Sequence, residues 1–186
     1  MKQHRLAFID TETTGLDPNF HEVIEIGCVV ADWRPDLFGE RTLVESSALD
    51  LKIIPEHLER ADPKALAVNH YAKRDWSQAI PRKDAIMELA RVAKGSIFIA
   101  QNVTFDWSFL QQSAASVGIA LDREFHFRKL DLASIAYGRI PDDPKLERYT
   151  LRELSEYFGV KNEDAHTALS DARTAFEIYR KLIART

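Results

Sequence analysis

The chain is short of cysteine, of long apolar runs and of basic charge, and each shortage narrows what it can be. Its 186 residues include a single cysteine, Cys28, which excludes an internal disulfide and any zinc cluster built on cysteines. The setting of Cys28 in VIEIGCVV predicts a small buried side chain. No stretch approaches the roughly 18 consecutive apolar residues of a membrane-spanning helix. The opening MKQHRLAFID runs into a strand pattern without an apolar signal region. The expectation is a soluble, cytoplasmic protein that engages no membrane. A formal net charge of -4 argues against a broad, nonspecific grip on duplex nucleic acid, which normally needs a basic face. Cation pairs remain at Lys73 and Arg74, Arg82 and Lys83, Arg128 and Lys129, and Arg148 and Arg152. Each reads by default as solvated surface. Internal repeats and low-complexity tracts are also missing.

What is present suits one α/β domain spanning residues 1–186, with 45% hydrophobic residues to fill a single core. HRLAFID reads as a strand and HEVIEIGCVVADW as a longer one, with Ile24, Ile26, Cys28 and Val30 on a common face. The short TTGLDPNF connection predicts that these two pair as a hairpin. A third strand lies within RTLVESSALDLKIIP, interrupted near Ser46 and Ser47. Helices are expected at DPKALAVNH, with Asp62 as cap, and at PRKDAIMELARVAKG, where Ile86, Leu89, Ala90 and Ala93 share a face. SIFIAQN is a fourth strand and FDWSFLQQSAASVG a helix. FRKLDLASIAYG supplies a fifth strand running into a helix. After the proline-rich loop IPDDPKLER come helices at YTLRELSEYFGV and from about Ala165 to Ile183. Three strands in series followed by alternating helices and strands predict a mixed sheet with helices on its faces.

The chemistry is carried by acidic residues in apolar company. In FIDTETTG, Asp10 and Glu12 are separated by one residue on a strand, so both point to one side of the sheet. Two like charges side by side are unfavourable unless a cation lies between them, and a divalent ion held by oxygens is a ready candidate. Alone, such a pair at a strand end is more often a solvated loop entrance than a metal site. Asp106 follows the fourth strand between Phe105 and Trp107, where a helix cap is the plainer reading. Asp171 lies in the last helix with Ala168, Leu169, Ala172 and Phe176 around it, a poor place for Asp unless it has a partner or a metal. His166 precedes it by five residues, about 140° of helical rotation. His166 is therefore expected at the helix entrance, where the backbone can aim it toward the same site.

Together, in this order, FIDTETTGLDP, AQNVTFDWSFL, YTLRELSEYFGV and AHTALSDA resemble the DEDDh family of 3′-5′ exonucleases over residues 5 to 182. The resemblance implies a ribonuclease H-like fold, a mixed five-stranded sheet flanked by helices. It implies hydrolysis of phosphodiester bonds from a 3′ end, releasing nucleoside 5′-monophosphates, with two Mg²⁺ or Mn²⁺ ions as cofactors. Asp10, Glu12, Asp106 and Asp171 would hold the metals, and His166 would be the general base. Carboxylate oxygens suit such hard cations, and an imidazole of pKa about 6.5 can take a proton from water near neutral pH. The resemblance further implies substrate contacts from Thr13, Thr14 and Gly15, an apolar contact from Leu16, and contacts from Asn69, Asn102, Phe105 and His166. Gly15 and Leu16 fit a plain hairpin turn equally well, and Phe105 fits the core. Gln101 departs from the family, whose members commonly have His before the Asn of AQN. The partners implied are 3′ ends of single-stranded DNA or RNA, with a DNA polymerase as a second partner for a proofreading enzyme.

Two other function classes compete. A ribonuclease H-like module could bind nucleic-acid ends or a polymerase without cutting, but it would not need four convergent carboxylates. A phosphatase using Asp10 as nucleophile would want a second Asp at position 12, where Glu12 stands.

Overall fold

The computed structural model describes residues 4–162 and 166–184. Its centre is a five-stranded mixed sheet in the order β3-β2-β1-β4-β5. The strands are β1 (Leu6–Thr13), β2 (Val23–Pro35), β3 (Arg41–Lys52), β4 (Ile97–Ala100) and β5 (Lys129–Asp131). β1 and β2 form the expected antiparallel hairpin, and β3 extends it antiparallel to β2. The expected interruption is a bulge: the β2/β3 register slips between Val30 and Ala31, opposite Ser46, whose hydroxyl donates to the Val30 carbonyl at 3.1 Å. β4 and β5 add in parallel on the other side of β1. The ribonuclease H-like α/β fold expected from the motifs is the fold observed.

Helices α1 (Pro63–Val68), α2 (Arg82–Val92), α3 (Val103–Ser116), α4 (Leu132–Arg139), α5 (Leu151–Phe158) and α6 (Ala168–Ile183) complete the described structure. None is long and apolar enough to cross a membrane. Alternation along β1 splits the core in two. Ala7 and Ile9 face α2 and α3, where Ile86, Leu89 and Phe109 close one cluster. Leu6 and Phe8 face the opposite side, against Leu154, Phe176 and Ile178 of α5 and α6. Asp10 and Glu12 continue the second face, so their carboxylates emerge where α6 begins. Cys28 is fully buried, and burial pushes its thiol up to about 12.

Local signals set several boundaries. Asp62 caps α1 by accepting from Lys64 N at 2.8 Å, and Thr150 with Glu153 forms a capping box on α5. Two expectations need correction. α3 begins at Val103 with Asn102 as its cap residue, so Asp106 lies inside the first turn and is not a cap. α6 begins at Ala168, which puts Asp171 in its first turn; the earlier start at Ala165 lies outside the described residues.

One close approach brings α6 to the sheet. Gly27 on β2 pairs with Asp10, and a Cβ there would fall 2.1–2.2 Å from the backbone of Ala168 and Leu169. Only a residue without a side chain lets the helix start this near to the strand. Gly27→Ala is expected to cost about 1–3 kcal/mol through overpacking and to push the start of α6 away from β2. Thermal melts check it; an unchanged melting temperature would contradict the close approach.

Candidate active site

Asp10, Glu12, Asp106 and Asp171 converge from three elements. Asp10 and Glu12 come from one face of β1, and Asp171 from the first turn of α6 above that face. Asp106 arrives from α3 on the opposite side and is 3% exposed. Its Oδ1 accepts from the Thr11 amide at 2.9 Å and the Thr11 hydroxyl at 2.8 Å. Thr11 lies between Asp10 and Glu12 along β1 and points to the opposite face of the sheet, so its two hydrogen bonds tie the first turn of α3 to the strand. The side chain of Asn162 donates to Asp171 Oδ1 at 2.6 Å, and Ser170 Oγ in turn donates to Asn162 at 2.8 Å.

His166 stands at the entrance of α6, as its offset from Asp171 requires. Its backbone is left-handed, with φ of 67°. Ligand atoms of Glu12, His166 and Asp171 all lie within 4.8 Å of one another. The His166 ring also meets that of His70, centroids 6.3 Å apart. His70, like His166, has positive φ, and the two rings meet beside Glu12 and Asp171. Such backbone persists where its surroundings over-determine it, commonly at functional positions.

Burial and mutual repulsion raise the acids. Burial first, then the charges of Asp106, Asp171, Glu12 and Glu25, holds Asp10 well above the usual carboxylate range. Burial and the neighbouring Asp171 and Glu25 push Glu12 up to about 8. Burial takes Asp106 to about 7 even though the Thr11 hydrogen bonds favour its charged form. Asp171 is also raised by burial, opposed by Asn162 and His166. The donor set is oxygen-rich, crowded and short of countercharge, which fits hard divalent cations such as Mg²⁺ or Mn²⁺.

These shifts carry a sign. A carboxyl whose pKa is raised on folding keeps its proton in the native state where the unfolded chain has lost it, so stability falls as pH climbs from the unfolded to the folded value. The metal-free protein is expected to melt several degrees lower at about pH 8.5 than at about pH 5.5. Mn²⁺ should restore more of the melting temperature at the higher pH. Melts in EDTA and in Mn²⁺ at both pH values check this, and a metal-free melting temperature that rises with pH would refute it.

The residues flanking the acids have distinct placements. Thr13 Oγ1 donates to the Gly15 carbonyl at 2.6 Å, and Thr14 is fully buried, its hydroxyl accepting from Glu22 N at 2.9 Å. Gly15 makes room for the His21 ring, which a Cβ would meet at 2.3 Å. Leu16 is 78% exposed at the turn. Asn69 is buried with its amide committed on both sides: Nδ2 donates to the Thr13 carbonyl at 3.1 Å and Oδ1 accepts from Tyr71 N at 3.2 Å. Asn102 is exposed, and Phe105 is half-buried with its ring 4.8 Å from that of Phe109. Gln101 donates to the Tyr149 carbonyl at 2.8 Å, tying the end of β4 to the start of α5.

Two residues beside the site escaped sequence reasoning. Glu25 pairs across the hairpin with Glu12 and is 2% exposed. It is ion-paired to Arg74, which also donates to the His166 carbonyl. Arg74 is thus not the solvated surface cation expected, and neither is Arg82, which pairs with Glu22 and, at 3.2 Å, with Glu56. The available signal was an acid inside an otherwise apolar strand, VIEIGCVV.

The family model for exonucleases named RNase_T matches residues 7–179. The chain belongs to this exonuclease family. Among curated proteins it is similar to the DNA polymerase III subunit epsilon of Treponema pallidum, at 28% identity over 94% of this chain and 74% of that protein. It is 26% identical to the 3′-5′ exonuclease DinG of Staphylococcus saprophyticus over 92% of this chain, but spans only 17% of DinG. Among solved structures, the zinc-bound complex of E. coli exonuclease I with single-stranded DNA superposes with a TM-score of 0.80. It shares 13% identity and covers 100% of this chain and 41% of exonuclease I, a likeness of fold.

Proposed function

We propose that this exonuclease-family enzyme removes nucleotides from the 3′ end of single-stranded nucleic acid, releasing nucleoside 5′-monophosphates in a reaction that needs two divalent cations. The reading is supported by Glu12, His166 and Asp171, whose ligand atoms lie within 4.8 Å of one another, and by the repulsion that Asp106, Asp171 and Glu12 exert on the buried Asp10. The 3′-5′ direction is supported by the name of the DinG relative, and single strands by the substrate of the exonuclease I complex. The epsilon relative supports a DNA polymerase as partner.

Asp10, Glu12, Asp106 and Asp171 would hold Mg²⁺ or Mn²⁺. Such ions, when bound, lower the pKa of water and offset charge on the attacking and leaving oxygens. Thr11 fixes Asp106 by one oxygen, Oδ1, and so ties α3 to β1. His166, exposed at the helix entrance, takes the proton of the attacking water. The exposed Leu16 offers an apolar face to the terminal base, a contact indifferent to sequence. The backbone of Thr13, Thr14 and Gly15 borders the terminal nucleotide, and Asn69 shapes that border by holding the Thr13 carbonyl. Asn102 and Phe105, at the start of α3, border the scissile bond.

The test uses 5′-labelled single-stranded DNA and RNA of equal sequence, incubated with Mg²⁺, Mn²⁺ or EDTA. A ladder shortening from the 3′ end only with metal is expected. No shortening of either strand under either metal would favour the binding module instead.

A further inference from the structure

The Arg74–Glu25 ion pair takes no part in the chemistry described above, yet it is built into the wall of the site. We propose that Arg74, held by Glu25, is a positioning residue that fixes the His166 turn over the carboxylates; the proposal rests on His166 acting as the base. The side chains are 12% and 2% exposed, so the pair is largely out of water. A buried ion pair adds little net stability against an apolar pair of the same shape. Its placement therefore needs another reason.

The contacts supply one. Arg74 divides its guanidinium, with Nη1 on Glu25 and Nη2 on the carbonyl of His166. Glu25 Oε2 also faces the amide of Ala168 at 3.5 Å. The peptide groups on both sides of Thr167 are thus tied to one buried pair, and that turn is where His166 adopts its left-handed backbone. A non-glycine residue holds such a conformation only when its surroundings enforce it. Arg74 is in turn located by its own segment, where Trp76 Nε1 donates to the Tyr71 carbonyl at 2.8 Å and the two rings lie 4.4 Å apart. His70 of the same segment meets the His166 ring. The planar fork of arginine can serve a carboxylate and a carbonyl at once, which the single ammonium of lysine does less well. The pair has a second consequence: with Arg74 bound, Glu25 is occupied and does not compete with Glu12 for a cation across the hairpin.

A double-mutant cycle tests the proposal. Arg74→Ala, Arg74→Met and Arg74→Lys are made singly and each combined with His166→Ala, alongside His166→Ala alone, and kcat, KM and melting temperature are measured on a labelled single-stranded oligonucleotide with Mn²⁺. Arg74→Met is expected to lower kcat by about tenfold to a hundredfold, the cost of a base misplaced by about an ångström, with KM little changed. Arg74→Lys, which keeps the charge and guards against a misfolded Met variant, should lose kcat in the same direction. In the His166→Ala background neither substitution should lower kcat further, because the group they position is gone. Millimolar guanidinium should restore part of the kcat of Arg74→Ala and none of that of its His166→Ala double variant. Multiplicative losses in the double variants, or folded Arg74 variants with parental kcat, would overturn the proposal. A parent protein that shortens no strand would instead overturn the exonuclease reading itself.

Discussion

Asp10→Asn is expected to lower nuclease turnover by at least about 10³-fold, the several kcal/mol that cation-borne charge stabilisation supplies, while raising the melting temperature of the metal-free protein. The two effects have one cause. Asp10 is pressed by Asp106, Asp171, Glu12 and Glu25 on top of its burial, so its charge is a burden until a cation shares it. An amide of the same shape removes that burden and would remove the cation ligand proposed above. The gain should be larger at about pH 8.5 than at about pH 5.5, the sign that a carboxyl raised on folding dictates. Added Mn²⁺ should stabilise the variant less than the parent. Paired melts and strand-shortening assays check this, and an Asp10→Asn protein that is both less stable without metal and still active would remove Asp10 from the cation site.

His166→Ala is expected to lower kcat by about 10²–10⁴-fold, the range of a positioned general base, with far smaller change in the Mn²⁺ concentration needed for half-maximal rate. His166 is exposed and sits at the helix entrance, while the neighbouring acids are bound into hydrogen bonds and buried surroundings. Its nearness to Glu12 and Asp171, all ligand atoms within 4.8 Å, sets up the competing outcome. If the metal requirement shifts as much as kcat falls, His166 acts as a ligand and not as the base. A near-parental kcat would remove it from both roles.

Much of this arrangement was legible from local pattern. Alternation along FIDTETTG placed Asp10 and Glu12 on one face, and the short turn after them gave the hairpin, because both depend on residues within a few positions of each other. The 140° offset put His166 outside the last helix, where it is. Asp106 was the hardest of the four acids to read: as an apparent helix cap its neighbours explain it, and its real partner, Thr11, is 95 residues away. Arg74 failed for the same reason, since a cation beside a lysine looks like solvated surface until Glu25 and the His166 carbonyl are seen around it. The resemblance implied a substrate contact from Asn69; in the structure its Nδ2 donates to the Thr13 carbonyl and its Oδ1 accepts from Tyr71 N, partners the sequence did not indicate.

The sequence by itself determined the α/β class and the strand and helix order, and it singled out the acids and imidazole proposed for the site, since periodicity, capping and motif order are local properties of the chain. Tertiary structure alone decided how close those groups come and how they are held. Gly27 admits α6 to β2, Thr11 ties Asp106 to β1, and Glu25 with Arg74 grips the His166 turn. Each of these joins segments far apart in the chain, and the balance of burial, repulsion and hydrogen bonding that results exists only once they have met.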